Sequence, residues 1–167
     1  MSHPKHPTHH AVTLIECAGA SIILGLMLVA GLRAAAGAGA SQAASARALS
    51  GTLLAESLLN EVLAKSYEEA PGTASLGLDA GELATDKTTF DDVDDYNGWT
   101  ESPPKAFDGS ALPSMTNWSR SVAVLRVSTS SPDSSSASET GLKRIEVTVK
   151  YGGKVVCKLT GLRASDS

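Results

Sequence analysis

Between Val12 and Leu32 the chain runs for 21 residues with one ionisable carboxylate, Glu16, and no lysine or arginine. An apolar span of about 20 residues is what a helix needs to cross the hydrocarbon core of a bilayer. A carboxylate inside such a span costs about 2.5–3.5 kcal/mol at its centre and less toward an end. Glu16 therefore calls for a reason. Ahead of the span lies a polar leader, Met1–Ala11, with Lys5 as its only lysine or arginine. A secretory signal would be cut after the apolar core, among Ala34, Ala35, Ala36, Gly37 and Ala38, but its core is usually 7–15 residues long. A plain membrane anchor has the right length. Neither reading explains Glu16.

Composition narrows the chemistry. His3, His6, His9 and His10 are the only histidines, and all lie in the leader. A chain without the leader has no histidine for a Ser-His-Asp or Cys-His nucleophile or for a histidine metal site. The formal charge is −4, becoming −5 without Met1–Ala11. An acidic chain without a basic stripe argues against nucleic acid as a partner. The two cysteines, Cys17 and Cys157, lie near opposite ends, one in the apolar span, so a disulfide between them is not expected. Cys157 alternates with apolar neighbours and reads as a small buried hydrophobe.

Behind the span the helical pattern continues. Leu54, Leu58 and Val62 recur every four residues, as do Ala55, Leu59 and Leu63, while Glu56, Asn60, Glu61 and Lys65 fall elsewhere on the wheel. Pro71-Gly72 supplies a stop. The spacing predicts one helix from about Val12 to about Glu69, softened by Gly37 and Gly39. Residues 12–32 form its transmembrane half and 33–70 its amphipathic half. Residues 71–117 lose periodicity and read as an irregular, acidic loop region.

Residues 118–167 read as a small antiparallel sheet. Ser121–Thr129 is apolar almost throughout. Leu142–Tyr151 alternates, with Ile145, Val147, Val149 and Tyr151 on one face. Lys154–Leu162 presents Val155, Cys157 and Leu159. The serine-rich loop 130–141 is expected to be mobile. Gly152-Gly153 signals a hairpin. Parity then selects a three-residue loop with Tyr151 opposite Val155, Val149 opposite Cys157 and Val147 opposite Leu159.

The junction Ala11-Val12-Thr13-Leu14-Ile15-Glu16, after a short basic leader and before a long apolar helix, resembles the processing site of type IV pilins and pseudopilins. That resemblance implies an α+β, pilin-like fold: one long N-terminal helix, transmembrane and then amphipathic, packed on a small C-terminal antiparallel sheet. It implies cleavage by a prepilin peptidase between Ala11 and Val12 and methylation of the new terminus. Ala11 stands where the family has Gly, and Glu16 falls at the fifth mature position. In the family this carboxylate is taken to pair with the amino group of a neighbouring subunit, which suits the partial offset that pairing gives a buried charge. The resemblance further implies a single-pass protein of the bacterial inner membrane with its C-terminal part in the periplasm. Other pilin or pseudopilin subunits would be its partners, and a type IV pilus or type II secretion pseudopilus its destination. It implies no enzymatic activity.

The stretch Phe90-Asp91-Asp92-Val93-Asp94-Asp95-Tyr96-Asn97-Gly98-Trp99 is similar to a segment of minor pilins of the mannose-sensitive haemagglutinin type. Asp91, Asp92, Asp94, Asp95 and Asn97 supply the oxygen atoms that Ca²⁺ takes as ligands, although the EF-hand spacing is not met. The simpler reading, and the preferred one, is a solvated acidic loop without cofactor, pinned by Phe90, Tyr96 and Trp99. A membrane-anchored periplasmic binding module that forms no filament stays open as the alternative function.

Overall fold

The structure, a computed structural model, describes residues 13–68 and 75–165. The leader, the Ala11-Val12 junction and Pro71-Gly72 lie outside the described residues. The chain divides into two compact units, Met1–Ala44 and Ser45–Ser167. One helix, α1 (Leu14–Leu63), contributes to both.

In the first unit α1 is apolar and exposed. Leu14, Ile15, Ile22, Ile23, Leu24, Leu26, Met27, Leu28 and Leu32 leave half or more of their surface uncovered. Its mean hydropathy over the best 18-residue window is 2.1, and none of that window is buried. Length and composition are those of a single membrane-spanning segment.

In the second unit α1 packs on a sheet of four antiparallel strands in the order β1 (Thr100–Glu101), β2 (Trp118–Arg126), β3 (Leu142–Tyr151), β4 (Lys154–Ala164). The architecture is the expected α+β, pilin-like one. Gly51, Leu54, Ala55, Leu58 and Val62 form the buried stripe of the helix, at the 3–4-residue spacing of one helical face. Leu54, Ala55, Leu58 and Val62 join one core with Trp118, Val122 and Val124 of β2 and Ile145, Val147 and Val149 of β3. Gly51 permits a close approach. A Cβ there would lie 2.9 Å from Val156 Cγ1.

The helix ends at Leu63 rather than near Glu69. The carbonyls that would continue it have tertiary donors instead. Ser66 O accepts from Val93 N–H (3.0 Å), Tyr67 O from Lys143 Nζ (2.6 Å) and Lys65 O from Arg163 Nε (3.3 Å). Glu61 and Lys65, expected away from the core, turn to the loop region. Glu61 holds Lys87 Nζ at 3.0 Å and Tyr96 OH at 3.0 Å, and Lys65 Nζ donates to Phe90 O.

The terminal hairpin satisfies two demands at once. Gly152 and Gly153 have φ of 55° and 79°, the double positive φ of a type I′ turn. Tyr151 therefore faces Lys154, not Val155 as parity predicted. A bulge between Val149 and Lys150 then restores the predicted pairs, Val149 with Cys157 and Val147 with Leu159. The extra residue is Val156, the one that meets Gly51. β2 begins at Trp118 and carries Arg120 inward, beyond the apolar run that located the strand. The serine-rich segment returns to the end of β2 through Ser136 N–H to Arg126 O (2.8 Å), and just past the strand Ser128 N–H donates to Ser134 O (3.1 Å).

Candidate functional site

Glu16 sits at the amino end of α1 in a capping box. Thr13 donates to Glu16 Oε2 from its backbone N–H (2.7 Å) and from Oγ1 (2.8 Å), and Glu16 N–H returns to Thr13 Oγ1 at 3.4 Å. The T-x-x-E spacing is the sequence signature of this motif, and the motif satisfies amide groups that otherwise lack intrahelical partners. That signature is legible in Thr13-Leu14-Ile15-Glu16. Ala11 and Val12 lie outside the described residues.

The acidic stretch is organised by burial. Phe90, Tyr96 and Trp99 pack edge to face, with centroids 5.0–6.4 Å apart, the arrangement aromatic quadrupoles favour. They pull the intervening aspartates in with them. Asp92, Asp94 and Asp95 are 3, 3 and 2% exposed, and Asp91 alone of the four is open to solvent. The aromatic pin is therefore right and the solvated loop is wrong.

The five predicted calcium ligands do not stay together. Asp94 Oδ2 turns to Lys143 Nζ (2.8 Å), and Asn97 Oδ1 accepts from Val124 N–H (3.1 Å). Asp91 and Asp92 each come to Asp95, in two separate groups that are each completed by a residue from further upstream. Carboxylate oxygens of Asp79, Asp92 and Asp95 lie within 4.8 Å of one another, as do those of Glu82, Asp91 and Asp95. Asp95 is common to both groups. Its Oδ2 accepts from the amides of Asp91 and Asp92 (3.0 Å each), while its buried Oδ1 has no hydrogen-bond partner. Asp79 and Glu82 flank the turn at Ala80-Gly81, where no periodicity marks a residue as inward-facing.

Among the described residues the ion pairs fall on Glu61, Glu101, Asp94, Glu139 and Glu146, and on none of these five carboxylates. Burial, with the Glu82 carboxyl against it, pushes Asp95 up to about 7. Burial and the nearby Asp95 raise Asp92 as well. Two all-oxygen groups of three carboxylates that share Asp95 fit a hard divalent cation. The cluster can hold one.

A second feature lies beside it. A cavity of about 490 Å³ is lined by Asp86, Lys87, Trp99, Glu101, Ser102 and Lys105 among others. Its floor is charge-balanced, because Glu101 pairs with Arg120 and Lys87 with Glu61. Comparison with protein-family models, with curated proteins and with solved structures finds no match to this chain.

Proposed function

We propose that the chain is a minor pilin or pseudopilin, a structural subunit of a type IV pilus or a type II secretion pseudopilus. The observation that carries this reading is the use of a single helix. Its first part is apolar and exposed, opens on Glu16 and suits a membrane, and its last part is the packed face of a small antiparallel sheet. A subunit stored in the inner membrane and later bundled with its neighbours needs both halves. A prepilin peptidase would cut between Ala11 and Val12, leave an N-methylated Val12, and leave the soluble unit in the periplasm. Glu16 would then sit four residues from a new amino group. The acidic, aromatic-pinned segment favours a minor pilin of the mannose-sensitive haemagglutinin type. The role is one of assembly and calls for no catalytic residue and no nucleic acid.

Calcium is the cation we assign to the carboxylate cluster. Ca²⁺ accepts 6–8 oxygens in irregular geometry, whereas Mg²⁺ demands a near-ideal octahedron. Two groups of three carboxylates, sharing Asp95 and drawn from two turns, suit the former. The cavity beside Trp99 supports the second reading, an anchored binding module that does not polymerise.

Mass spectrometry of the membrane-extracted protein tests the proposal. The expected product begins at N-methylated Val12. An intact leader would return the chain to the anchored-module reading, and a start near Ala38 would make the helix a cleaved signal.

A further inference from the structure

β3 turns Lys143 onto the same face as Ile145, Val147 and Val149 and leaves it with no exposure. Its Nζ lies 2.8 Å from Asp94 Oδ2 and 2.6 Å from Tyr67 O, with the Tyr67 ring at 3.8 Å. Asp94 opens the short 3-10 turn Asp94–Tyr96 and is itself buried. Val93, Tyr96 and Ile145, beside them in the chain, have no exposure either. An amine and a carboxyl held in contact away from water are the two halves of an amide.

Two observations set this pair apart from an ordinary ion pair. Asp94 Oδ1 is buried and has no hydrogen-bond partner. Buried polar atoms are ordinarily paired, and an unpaired oxygen costs more on a charged group than on a neutral carbonyl. The pair also keeps two charges out of water, a cost that their contact offsets only in part. Condensation removes both charges. It leaves Oδ1 as a neutral amide oxygen, and the N–H that already points at Tyr67 O keeps its acceptor. Well-oriented contact between reacting groups is equivalent to about 10⁵–10⁸ M of free reactant.

We propose that Lys143 and Asp94 condense in the folded chain into an isopeptide bond that ties β3 to the aromatic-pinned turn. Along the existing hydrogen bond one ammonium proton passes to Oδ2, and the free amine adds to Cγ. The Cγ–Oδ2 bond then breaks, and Oδ2 leaves as water with a second proton from the nitrogen. Ammonium and carboxylate become amide and water, with no oxidant, no cofactor and no net proton exchange. The proton moves directly between the two partners, so the reaction is slow: a freshly folded chain holds the ion pair, and the amide accumulates as the chain ages. The closed loop contains β1, β2 and the serine-rich segment. This inference rests on the contact alone and is independent of the filament and cation readings.

Tryptic peptide mapping by mass spectrometry tests the bond on the full chain in detergent, freshly purified and after prolonged incubation, each sample unfolded before digestion. Trypsin does not cut after a lysine whose Nζ is acylated. The linked chain therefore yields residues 88–105 joined to residues 127–144, one water lighter than the two peptides together. We expect this joined pair to accumulate in the folded chain as the free 127–143 peptide declines, and to stay at background in a chain kept in urea throughout. Succinimide formation at Asp108-Gly109 also removes one water, so the joined peptides decide and the intact mass does not. Lys143→Arg keeps the cation but lacks the amine, and should give no joined pair. The wild-type time course decides the question even if that variant folds poorly. Unlinked peptides at full yield in the aged, folded wild type overturn the proposal, and so does equal linkage in urea. Neither result touches the filament proposal.

Discussion

Lys143 is fully buried, and its ammonium group has three partners: Asp94 Oδ2 at 2.8 Å, Tyr67 O at 2.6 Å and the face of the Tyr67 ring at 3.8 Å. Lys143→Met keeps the aliphatic stem and removes the charge. Asp94, 3% exposed and with Oδ1 already lacking a partner, is then left as an uncompensated carboxylate. Removing one partner of a buried ion pair costs about 3–5 kcal/mol. The Tyr67 carbonyl loses a charge-assisted hydrogen bond as well, worth about 1.5–3 kcal/mol where nothing replaces it. The two terms overlap, so we expect about 3–5 kcal/mol in total, a large share of the 5–15 kcal/mol typical of a whole domain.

Tryptophan fluorescence in urea measures this cleanly, because Trp99 and Trp118 are both buried in the second unit. With m near 1.5 kcal/mol per M, the midpoint should fall by about 2–3 M. The double variant Lys143→Met/Asp94→Leu should recover more than half of that loss, since an apolar pair of similar volume often replaces a buried ion pair at little cost. A single variant that moves the midpoint by less than about 0.5 M, or a double variant no better than the single, would refute the buried pair as the link between β3 and the acidic turn.

Three further outcomes are expected. In chelator, the urea midpoint should fall as pH rises: Asp95 has a folded pKa of about 7 against an ordinary 3.8, so its contribution is fully present below about 3.8 and lost as pH passes 7. An unchanged midpoint between pH 5 and 8 would contradict the burial of that carboxyl. Leu58→Ala, at a site with no exposure, should cost about 2–5 kcal/mol in the same urea assay, whereas Leu162→Ala, 48% exposed, should cost under about 0.5 kcal/mol; similar losses at both would mean that α1 is not seated on the sheet as described. Thr13→Ala, which removes one of the two hydrogen bonds to Glu16, should weaken incorporation into sheared filaments far less than Glu16→Ala, which should abolish it, read by immunoblot; equal loss from both would reduce Glu16 to a helix cap.

Hydrophobic period carried the sequence reading where one face of an element is buried and the other is wet. It found the Leu54-Leu58-Val62 stripe and the bounds of β3 directly. It failed where charge is buried. Lys143 has the same parity as Ile145, Val147 and Val149, so the pattern itself placed it inward, but a lysine on a core face looks like an interruption until Asp94 is seen opposite it. Arg120 is the same case on β2, held by Glu101 and by the carbonyls of Leu54 and Lys105. The cation cluster was half legible: Asp91, Asp92 and Asp95 belong to one short run, but Asp79 and Glu82 reach it through the fold alone. The hairpin shows two local rules meeting. Gly-Gly favours a two-residue turn, the apolar pattern favours a register shifted by one, and the bulge at Val156 lets both hold, with Gly51 making room for it.

The capping box changes how Glu16 should be understood. A carboxylate in an apolar span looks anomalous only if the helix is taken to begin well before it. Here α1 begins at Leu14, so Glu16 occupies the first turn, where free amide groups and the helix dipole both favour a negative charge. Its carboxylate is therefore held by its own chain before any neighbour arrives, and held toward Thr13, the residue that follows the proposed new terminus at Val12. A carboxylate fixed by two hydrogen bonds from Thr13 loses less freedom on meeting a neighbouring amino group than one on a free side chain, which lowers the cost of pairing. Under the proposed assembly role, capping and register would be successive uses of one geometry: the cap orients the charge, and assembly would supply the cation that the membrane does not.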